Sequence, residues 1–202
     1  MTGSPATVTP GLADTLKSRT AAAHRDAESH RLQRGLFDGS TTPGEARRFF
    51  EGLLKEIVCL ETAARRAGST TDAAFVEEVM RGHAERLRAD LIESPEAEPD
   101  SPSIPHEPSL PAIIGGAYVI EGSMNGNRYL VTAASRRDGH GLPLRYLGSY
   151  GDAQPARWAD FRRWLDQLPW NDDAREACVQ AAERMFGTFT RLSDHALASS
   201  SS

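Results

Sequence analysis

The sequence has 202 residues, a net charge of −5 and a hydrophobic content of 39%. This length accommodates one sizeable domain with a core, or two small ones. The sequence contains no long block of Lys and Arg, so nucleic-acid binding has no electrostatic support. Its longest apolar runs are too short to cross a bilayer, and residues 1–10 lack the apolar core of a signal peptide. We therefore expect a cytoplasmic protein whose partners include neither a nucleic acid nor a membrane.

Apolar periodicity and capping residues predict the first two helices. Residues 12–32 contain apolar residues at helical spacing and form the first predicted helix. The second begins at Thr42, a good N-cap, because Pro43 suits the first helical position and Glu45 completes a capping box. Gly68 suits the C-terminal cap of this second helix.

The middle of the chain combines one predicted helix with two irregular segments. Residues 71–91 carry an apolar stripe, and His83 lies there between charged neighbours, so we expect it to be solvated. Residues 94–111 hold six prolines and are predicted to form a long extended connection. Residues 136–152 are rich in glycine and are predicted to be a loop with one short turn. Two further histidines fall in these segments, His106 in the first and His140, expected to be exposed, in the second.

Two more helices complete the prediction, over residues 156–168 and 172–197. No alternating strand pattern, nucleotide-binding loop, serine elbow or internal repeat is visible. We therefore predict an all-α fold of six to eight helices around one core. The helical domain spans residues 12–197, between a flexible N-terminus at 1–11 and a flexible tail at 198–202.

Polar residues form one lane on the first predicted helix. Thr20, His24 and Glu28 follow one another at intervals of one turn, and Lys17 lies two turns before His24, about 10 Å along the axis. A flat ligand held at His24 could place a charged edge near Lys17, while Glu28 could orient the imidazole. A lone histidine on a helix is more often a partly exposed or hydrogen-bonded residue, and the pattern alone leaves both interpretations open.

A second informative stretch, residues 110–135, has a helical apolar pattern interrupted by four glycines. Each glycine costs an ordinary helix about 1 kcal/mol relative to alanine. Gly122 and Gly126 share one helical face, which would let the backbone approach a flat ligand closely and favours a bend. Tight packing between helices uses the same small residues, and the sequence does not separate these two explanations.

Together the two stretches resemble the haem oxygenase family. Members begin with a helix of the form Leu-Lys-x-x-Thr-x-x-x-His-x-x-x-Glu, which residues 16–28 match at every defined position. Residues 118–126 are similar to the bacterial form of the family's glycine-rich distal helix, which reads close to Tyr-Val-Leu-Glu-Gly-Ser-x-x-Gly-Gly. The resemblance covers most of the chain, and it implies a single-domain helical bundle with haem between the first helix and a kinked distal helix.

The resemblance also implies the haem-binding residues. His24 would be the ligand of the iron, and Glu28 would orient its imidazole. Lys17 and Arg162 would pair with the propionate carboxylates. The full set of residues that the resemblance places against haem b, which is cofactor and substrate at once, is Lys17, Thr20, His24, Glu28, Tyr118, Arg162 and Phe186.

The implied reaction opens the haem ring to biliverdin and releases CO and ferrous iron, with O2 as co-substrate. Gly122, Ser123, Asn125 and Gly126 would form the catalytic wall that directs the reaction to one meso carbon. Electrons would come from an external ferredoxin or flavoprotein reductase, because the sequence has no flavin or nicotinamide motif. The chain departs from the family at Asn127, where many members have glycine, and at Ser123, where animal-type members have aspartate.

Two other functions remain open from the sequence. Asn127 favours a haem carrier or sensor that binds the ring without opening it. A thiaminase-like hydrolase of the same helical superfold would need a cysteine nucleophile with acidic partners. Cys59 and Cys178 are too few and too far apart for a disulfide framework or a zinc motif, and both lie in apolar helical stripes. We expect them to be buried free thiols.

Overall fold

The computed structural model describes residues 10–91, 108–136 and 142–198, and within these ranges all regular structure is helical. The all-α prediction is therefore confirmed. Short helical pieces raise the number of α-helices in the described ranges to nine, above the six to eight predicted. The helices are α1 (Leu12–Ser29), α2 (Arg31–Asp38), α3 (Pro43–Arg66), α4 (Thr71–Met80), α5 (His83–Leu91), α6 (Leu110–Ser135), α7 (Leu144–Leu147), α8 (Gln154–Leu165) and α9 (Asp172–Ala198), with a 3-10 turn at Gly151–Ala153 before α8.

Several predictions concern segments that lie wholly or mostly outside the described residues. These are the flexible ends at 1–11 and 198–202, the connection at 94–111 with His106, and His140. Across the part of the chain that the structure describes, no helix is both long enough and apolar enough to pass through a bilayer.

The core is built around α6 and α9, which pack along each other, while α1 and α3 pack against α9. Two glycines of α6 make this packing possible. A Cβ at Gly115 would lie 2.1 Å from the Cys178 carbonyl oxygen of α9, and one at Gly116 would lie 2.7 Å from Leu60 Cδ2 of α3. Real Cβ atoms do not approach other atoms so closely. The backbone contact at Gly115 therefore requires glycine, whereas at Gly116 the clash is with the end of the Leu60 side chain. The helix is continuous through its glycines, and its predicted bend stays a prediction.

The predicted start of α3 is confirmed. Thr42 Oγ1 accepts a hydrogen bond from the Glu45 amide at 3.2 Å, and the Glu45 carboxylate accepts one from the Thr42 amide at 2.7 Å. Pro43 occupies the first turn, and Gly68 adopts φ +99° just beyond the end of the helix. The residues of this segment were therefore sufficient to predict where α3 begins and ends.

The predicted length of the first helix is wrong, because the helix does not continue through residue 32 but ends before His30. This residue has an extended backbone (φ −60°, ψ 139°), and its Nδ1 accepts a hydrogen bond from the Leu32 amide at 3.2 Å. The imidazole is therefore the N-cap of α2, a function that serine, threonine or aspartate usually performs. Its Nε2 lies 3.0 Å from Asp194 Oδ1 of α9, which holds the corner between α1 and α2.

The other end of α1 is held by α8. The Asp166 carboxylate accepts a hydrogen bond from the Ala13 amide at 2.9 Å, so a side chain distant in sequence satisfies a free amide in the first turn. Between these ends, Arg19 forms an ion pair with Glu176 of α9 at 3.0 Å. Contacts with the C-terminal third of the chain thus fix the axis of α1, the helix that carries His24.

The third predicted helix is also divided, into α4 and α5. Gly82 adopts φ +80°, a left-handed conformation that ends one helix and starts the next. This turn points His83 inward, where it is completely buried. The prediction that His83 is solvated is therefore wrong, because the turn at Gly82 places it in the interior, where its Nε2 lies 2.8 Å from Glu121 Oε1.

We expect Gly82→Ala to lower the free energy of unfolding by about 1–2 kcal/mol, since an L-residue pays this amount in the left-handed region. Urea denaturation of the purified chain measures the effect. Gly44→Ala is the matched control, because a Cβ there meets only Arg48 Nη1 at 3.5 Å and its backbone is not left-handed. Equal stabilities of the two variants would contradict the account of the α4–α5 turn.

Candidate functional site

A cavity of about 860 Å³ lies between α1 and α6, with α2, α3, α8 and α9 completing its walls. This volume is in the range of small-molecule and cofactor sites. Every site residue named from the sequence lines this one cavity. The set is Lys17, Thr20, His24 and Glu28 from α1, Tyr118, Gly122, Ser123, Asn125 and Gly126 from α6, Arg162 from α8, and Phe186 from α9.

His24 presents an available imidazole on the α1 wall. Its side chain is 53% exposed, and Nδ1 lies 3.2 Å from the Glu28 carboxylate. The edge of its ring contacts Phe186, with centroids 5.5 Å apart and planes at 71°. Glu28 and Phe186 therefore restrict the rotation of the imidazole. His24 and Glu28 are thus in direct contact, as their spacing of one helical turn in the sequence indicated.

Thr20 and Tyr118 connect the α1 wall to α6. Thr20 is buried, and its hydroxyl donates to the Leu16 carbonyl oxygen at 2.7 Å. Burial raises the pKa of Tyr118, while the charge of Arg162 and a hydrogen bond with Thr20 oppose the rise. The Tyr118 phenol is therefore neutral over the physiological pH range. Its ring packs against Trp158 of α8 at a centroid distance of 5.2 Å.

Three cationic side chains line the cavity: Lys17 and Arg25 from α1, and Arg162 from α8. Arg162 is 3.3 Å from the Asp14 carboxylate, in a pair whose two side chains are 39% and 68% exposed. An ion pair this exposed contributes little stability. Arg162 can therefore turn toward an anionic ligand at low cost.

The four glycines of α6 divide into two pairs with different surroundings. Gly115 and Gly116 allow helix packing, as described above. A Cβ at Gly122 would make an ordinary contact of 3.4 Å with Trp158, and a Cβ at Gly126 would meet no atom within 4 Å. Helix packing therefore explains Gly115 and Gly116, and Gly126 leaves open space on the cavity wall. The close approach of a flat ligand at Gly122 and Gly126 stays a prediction.

The polar side chains of the α6 wall are turned back onto their own helix. Ser123 Oγ donates to the Ile120 carbonyl oxygen at 2.7 Å, which leaves the hydroxyl oxygen free to act as an acceptor. Asn127 Nδ2 lies 3.2 Å from Met124 Sδ, so its amide faces the helix although the residue lines the cavity. In this arrangement Ser123 offers no hydrogen to the cavity, whereas Met124 engages only one of the two Asn127 amide hydrogens.

Sequence reasoning missed several residues of the cavity wall. Trp158 could have been found, because it lies one turn before Arg162 on the same face of α8. Arg25, Phe37 and Tyr146 carried no comparable signal. In the described ranges, no three or more His, Cys, Asp or Glu side chains are grouped so that they could hold a metal ion. A metal at His24 would therefore take at most two such ligands from the described residues.

Comparison with solved structures identifies the fold. Over 94% of each chain, the structure matches haem oxygenase from Neisseria meningitidis in its NO- and CO-bound forms, with a TM-score of 0.73 and 20% identity. The chain has the haem oxygenase fold. Haem oxygenase-1 from the cyanobacterium Synechocystis, in complex with haem, matches over 92% of each chain with a TM-score of 0.66 and 14% identity. Neither a protein-family model nor a curated protein matches the sequence.

The haem oxygenase fold is shared with proteins of other functions. A TenA homologue from Pseudomonas syringae matches over 94% of this chain and 93% of its own, with a TM-score of 0.62 and 14% identity. Fold likeness at these identities does not choose between functions, so the choice depends on the chemistry of the cavity.

The two cysteines of this haem oxygenase fold do not suit a nucleophilic function. Both are described, and neither Cys59 nor Cys178 lines the cavity. Burial raises the pKa of the Cys59 thiol, and it raises that of Cys178 to about 12. Because the thiolate is the nucleophile, burial lowers the reactivity of both groups, and most strongly that of Cys178. Cys178 is fully buried, as predicted, whereas Cys59 is only half-buried.

We expect a thiol reagent such as DTNB at pH 8 to modify Cys59 slowly and Cys178 only after unfolding. The reaction is followed at 412 nm with and without guanidinium chloride, and Cys59→Ala assigns the slow phase. A fast native-state reaction at Cys178 would contradict this description and would revive the hydrolase hypothesis.

Proposed function

We propose that the chain binds haem in the cavity between α1 and α6 and is a haem oxygenase that opens the ring to biliverdin. One observation carries the proposal. The oriented imidazole of His24 lines the same cavity of about 860 Å³ as Gly126, a position without a side chain. This pairing suits a flat macrocycle whose central metal takes one ligand from the protein.

On the α1 side, His24 would bind the iron through Nε2, since Nδ1 faces the Glu28 carboxylate at 3.2 Å. A carboxylate on the far nitrogen fixes the tautomer and orientation of a ligating imidazole. Contact with Phe186 restricts the ring further. Haem brings its own nitrogen ligands to the iron, so His24 would be the ligand that the chain adds.

The propionate carboxylates would pair with the cationic rim of the cavity. Lys17 and Arg162 are the implied partners, and Arg25 lies on the same lining. Arg162 would exchange its exposed contact with Asp14 for a propionate. Arginine binds a carboxylate through two parallel hydrogen bonds, so Arg162 would also fix the in-plane orientation of the ring.

On the α6 side, Gly122 and Gly126 provide the space that the ring needs, and Ser123 and Asn125 provide polar atoms beside it. Bound haem supplies both the redox metal and the carbon that is oxidised, so the protein needs no nucleophile. The residues of this wall bind and orient the substrate and keep bulk water out. O2 is the co-substrate, and a ferredoxin or flavoprotein reductase in the cytoplasm would supply the electrons.

The experiment adds hemin to the purified chain and records the Soret band, then supplies a reductant and O2. We expect a complex of one haem per chain, followed by loss of the Soret band and growth of the biliverdin absorbance, with release of CO. Chromatography against authentic biliverdin isomers identifies the product. A chain that does not bind hemin specifically would refute the proposal.

The second candidate is a haem carrier or sensor, favoured by the presence of Asn127 on the cavity lining. It predicts the same complex with no ring opening. Asn127→Gly separates the two functions, because it restores the glycine found in many family members. Conversion in the parent chain supports the oxygenase, and stable haem in both proteins supports the carrier.

A further inference from the structure

Four aromatic side chains lie in a row that leads away from the cavity between α1 and α6, and the proposed function does not use the outer part of this row. Trp158 lines the cavity, and the centre of its ring lies 6.0 Å from that of Phe161. Phe161 is 5.6 Å from Trp164, whose ring stacks on Phe75 of α4 at 4.3 Å. We call these four residues the aromatic row.

The aromatic row follows from the sequence of α8. Trp158, Phe161 and Trp164 recur every three residues, so they lie along one side of the helix. The two tryptophans are six residues apart, which is about 9 Å along the helix axis. The planes of neighbouring rings on α8 differ by 31° and 26°, so the rings are closer to parallel than to an edge-to-face arrangement. Phe161 therefore bridges the two indoles.

The two ends of the aromatic row have different surroundings. Trp158 belongs to the cavity wall, where its ring packs against Tyr118 at 5.2 Å and faces Gly122. Phe161 is buried, with an exposed fraction of 2%. Trp164 is half-buried and does not line the cavity, so part of its side chain meets solvent elsewhere. The row thus joins the cavity wall to the protein surface through the interior.

Indole is the side chain of this row that can be oxidised by one electron. Tryptophan gives up an electron far more readily than phenylalanine and need not lose a proton first. Tyrosine must release its phenol proton on oxidation, and burial raises the pKa of Tyr118, so Trp158 is the better electron donor on this wall. The face of the Phe75 ring stabilises positive charge on Trp164. A positive charge formed at Trp158 is therefore expected to move outward to Trp164.

We propose that the aromatic row is an electron path that removes oxidising equivalents from the cavity and delivers them to the surface. A one-electron oxidant in the cavity takes an electron from Trp158, and Trp164 then reduces Trp158. The oxidised Trp164 releases its indole proton to water. A one-electron reductant in solution, such as ascorbate, returns the electron, and water returns the proton. The oxidant has gained one electron, the reductant has lost one, and the row ends unchanged.

The need for this path rests on the proposed function. Reduction of O2 at haem supplies strong oxidants, and a site that performs such chemistry must limit competing reactions with its own wall. An oxidant that meets no substrate carbon would otherwise attack the side chains around it. A path that ends at a half-buried indole moves this damage to a position where a soluble reductant can repair it.

The first test uses no haem. A ruthenium tris-bipyridine sensitiser is attached through Gly126→Cys in a Cys59→Ala background, because Gly126 lines the cavity beside open space and Cys178 is fully buried. Laser flashes with an oxidative quencher create the oxidant in the cavity, and peptide mass spectrometry locates the oxidised side chains. We expect the oxidised indole to be that of Trp164.

Substitutions within the aromatic row make this test decisive. Trp158→Phe should abolish the oxidation of Trp164, since the first electron donor is gone, and Trp164→Phe should transfer the oxidation to Trp158. Trp170→Phe is the matched control, because Trp170 is also half-buried against the core but lies outside the row. Circular dichroism verifies that each variant is folded. Oxidation of Trp164 that persists in Trp158→Phe, or an unmodified Trp164 in the labelled parent, overturns the path.

The second test loads the chain with hemin and adds hydrogen peroxide as the source of oxidant. We expect the electron paramagnetic resonance signal of a tryptophan radical in the parent and the same pattern of modified peptides as in the flash experiment. Ascorbate should prevent the modification of Trp164. A parent in which the cavity wall is oxidised and Trp164 is not overturns the proposal. If the chain binds no hemin, the proposed function fails, and the flash experiment alone decides the path.

Discussion

His24→Ala is expected to weaken haem binding by roughly a hundredfold, about 2.7 kcal/mol, and to remove the spectral signature of histidine ligation. The imidazole would be the one covalent link between the chain and the metal, and its orientation depends on contacts with Glu28 and Phe186. Hemin titrations followed at the Soret band measure both effects. Free imidazole should restore the signature, because the truncated side chain leaves room beside Phe186.

Two further variants test whether the loss of haem binding is specific to His24 and its orienting carboxylate. Glu28→Gln keeps the size of the side chain but removes its charge, and should weaken binding by about tenfold, as loss of an orienting carboxylate does at other metal sites. His195→Ala removes an exposed histidine of α9 that is outside the cavity lining, and should bind haem like the parent. An unchanged spectrum in His24→Ala would remove the basis of the proposed site.

Gly126→Leu should abolish haem binding and leave the fold intact. The side chain would enter the cavity from a position where an added Cβ meets no atom within 4 Å. The smaller change Gly126→Ala should even raise the free energy of unfolding by about 0.5–1 kcal/mol, because alanine favours a helix more than glycine does. Denaturant titration and hemin titration of the same preparations separate the two effects.

Gly115→Ala, on the same helix, is expected to lower the free energy of unfolding, in contrast to Gly126→Ala. Its Cβ would lie 2.1 Å from the Cys178 carbonyl oxygen, so α6 and α9 must separate. We expect a loss of about 3 kcal/mol in the free energy of unfolding, as for other overpacked cores. If Gly126→Ala destabilised the chain as much as Gly115→Ala, the description of the α6 wall would be wrong.

Local signals account for what the sequence predicted well. The start of α3 follows from Thr42, Pro43 and Glu45 alone, and the polar lane of α1 follows from helical spacing. The residues of the two informative stretches line one cavity, which periodicity alone did not predict. That part came from the resemblance to haem oxygenases, and the binding of haem by these residues stays a prediction.

The errors arose where distant residues decide the local structure. His30 ends α1 because it caps α2 and contacts Asp194, which lies 164 positions later. His83 is buried because Glu121, 38 positions later, accepts its hydrogen bond. The sequence did contain one signal for the buried pair of His83 and Glu121. Glu121 is a charged residue within an apolar run of α6, and such a residue indicates a buried partner.

The attachment of α1 has a consequence for the order of events during synthesis. α1 leaves the ribosome first, but Asp166 holds its first turn and Asp194 holds the corner at its end. Neither anchor exists until the C-terminal third of the chain has been translated. The contacts that fix the α1 wall around His24 can therefore form only after residues 166 and 194 have left the ribosome.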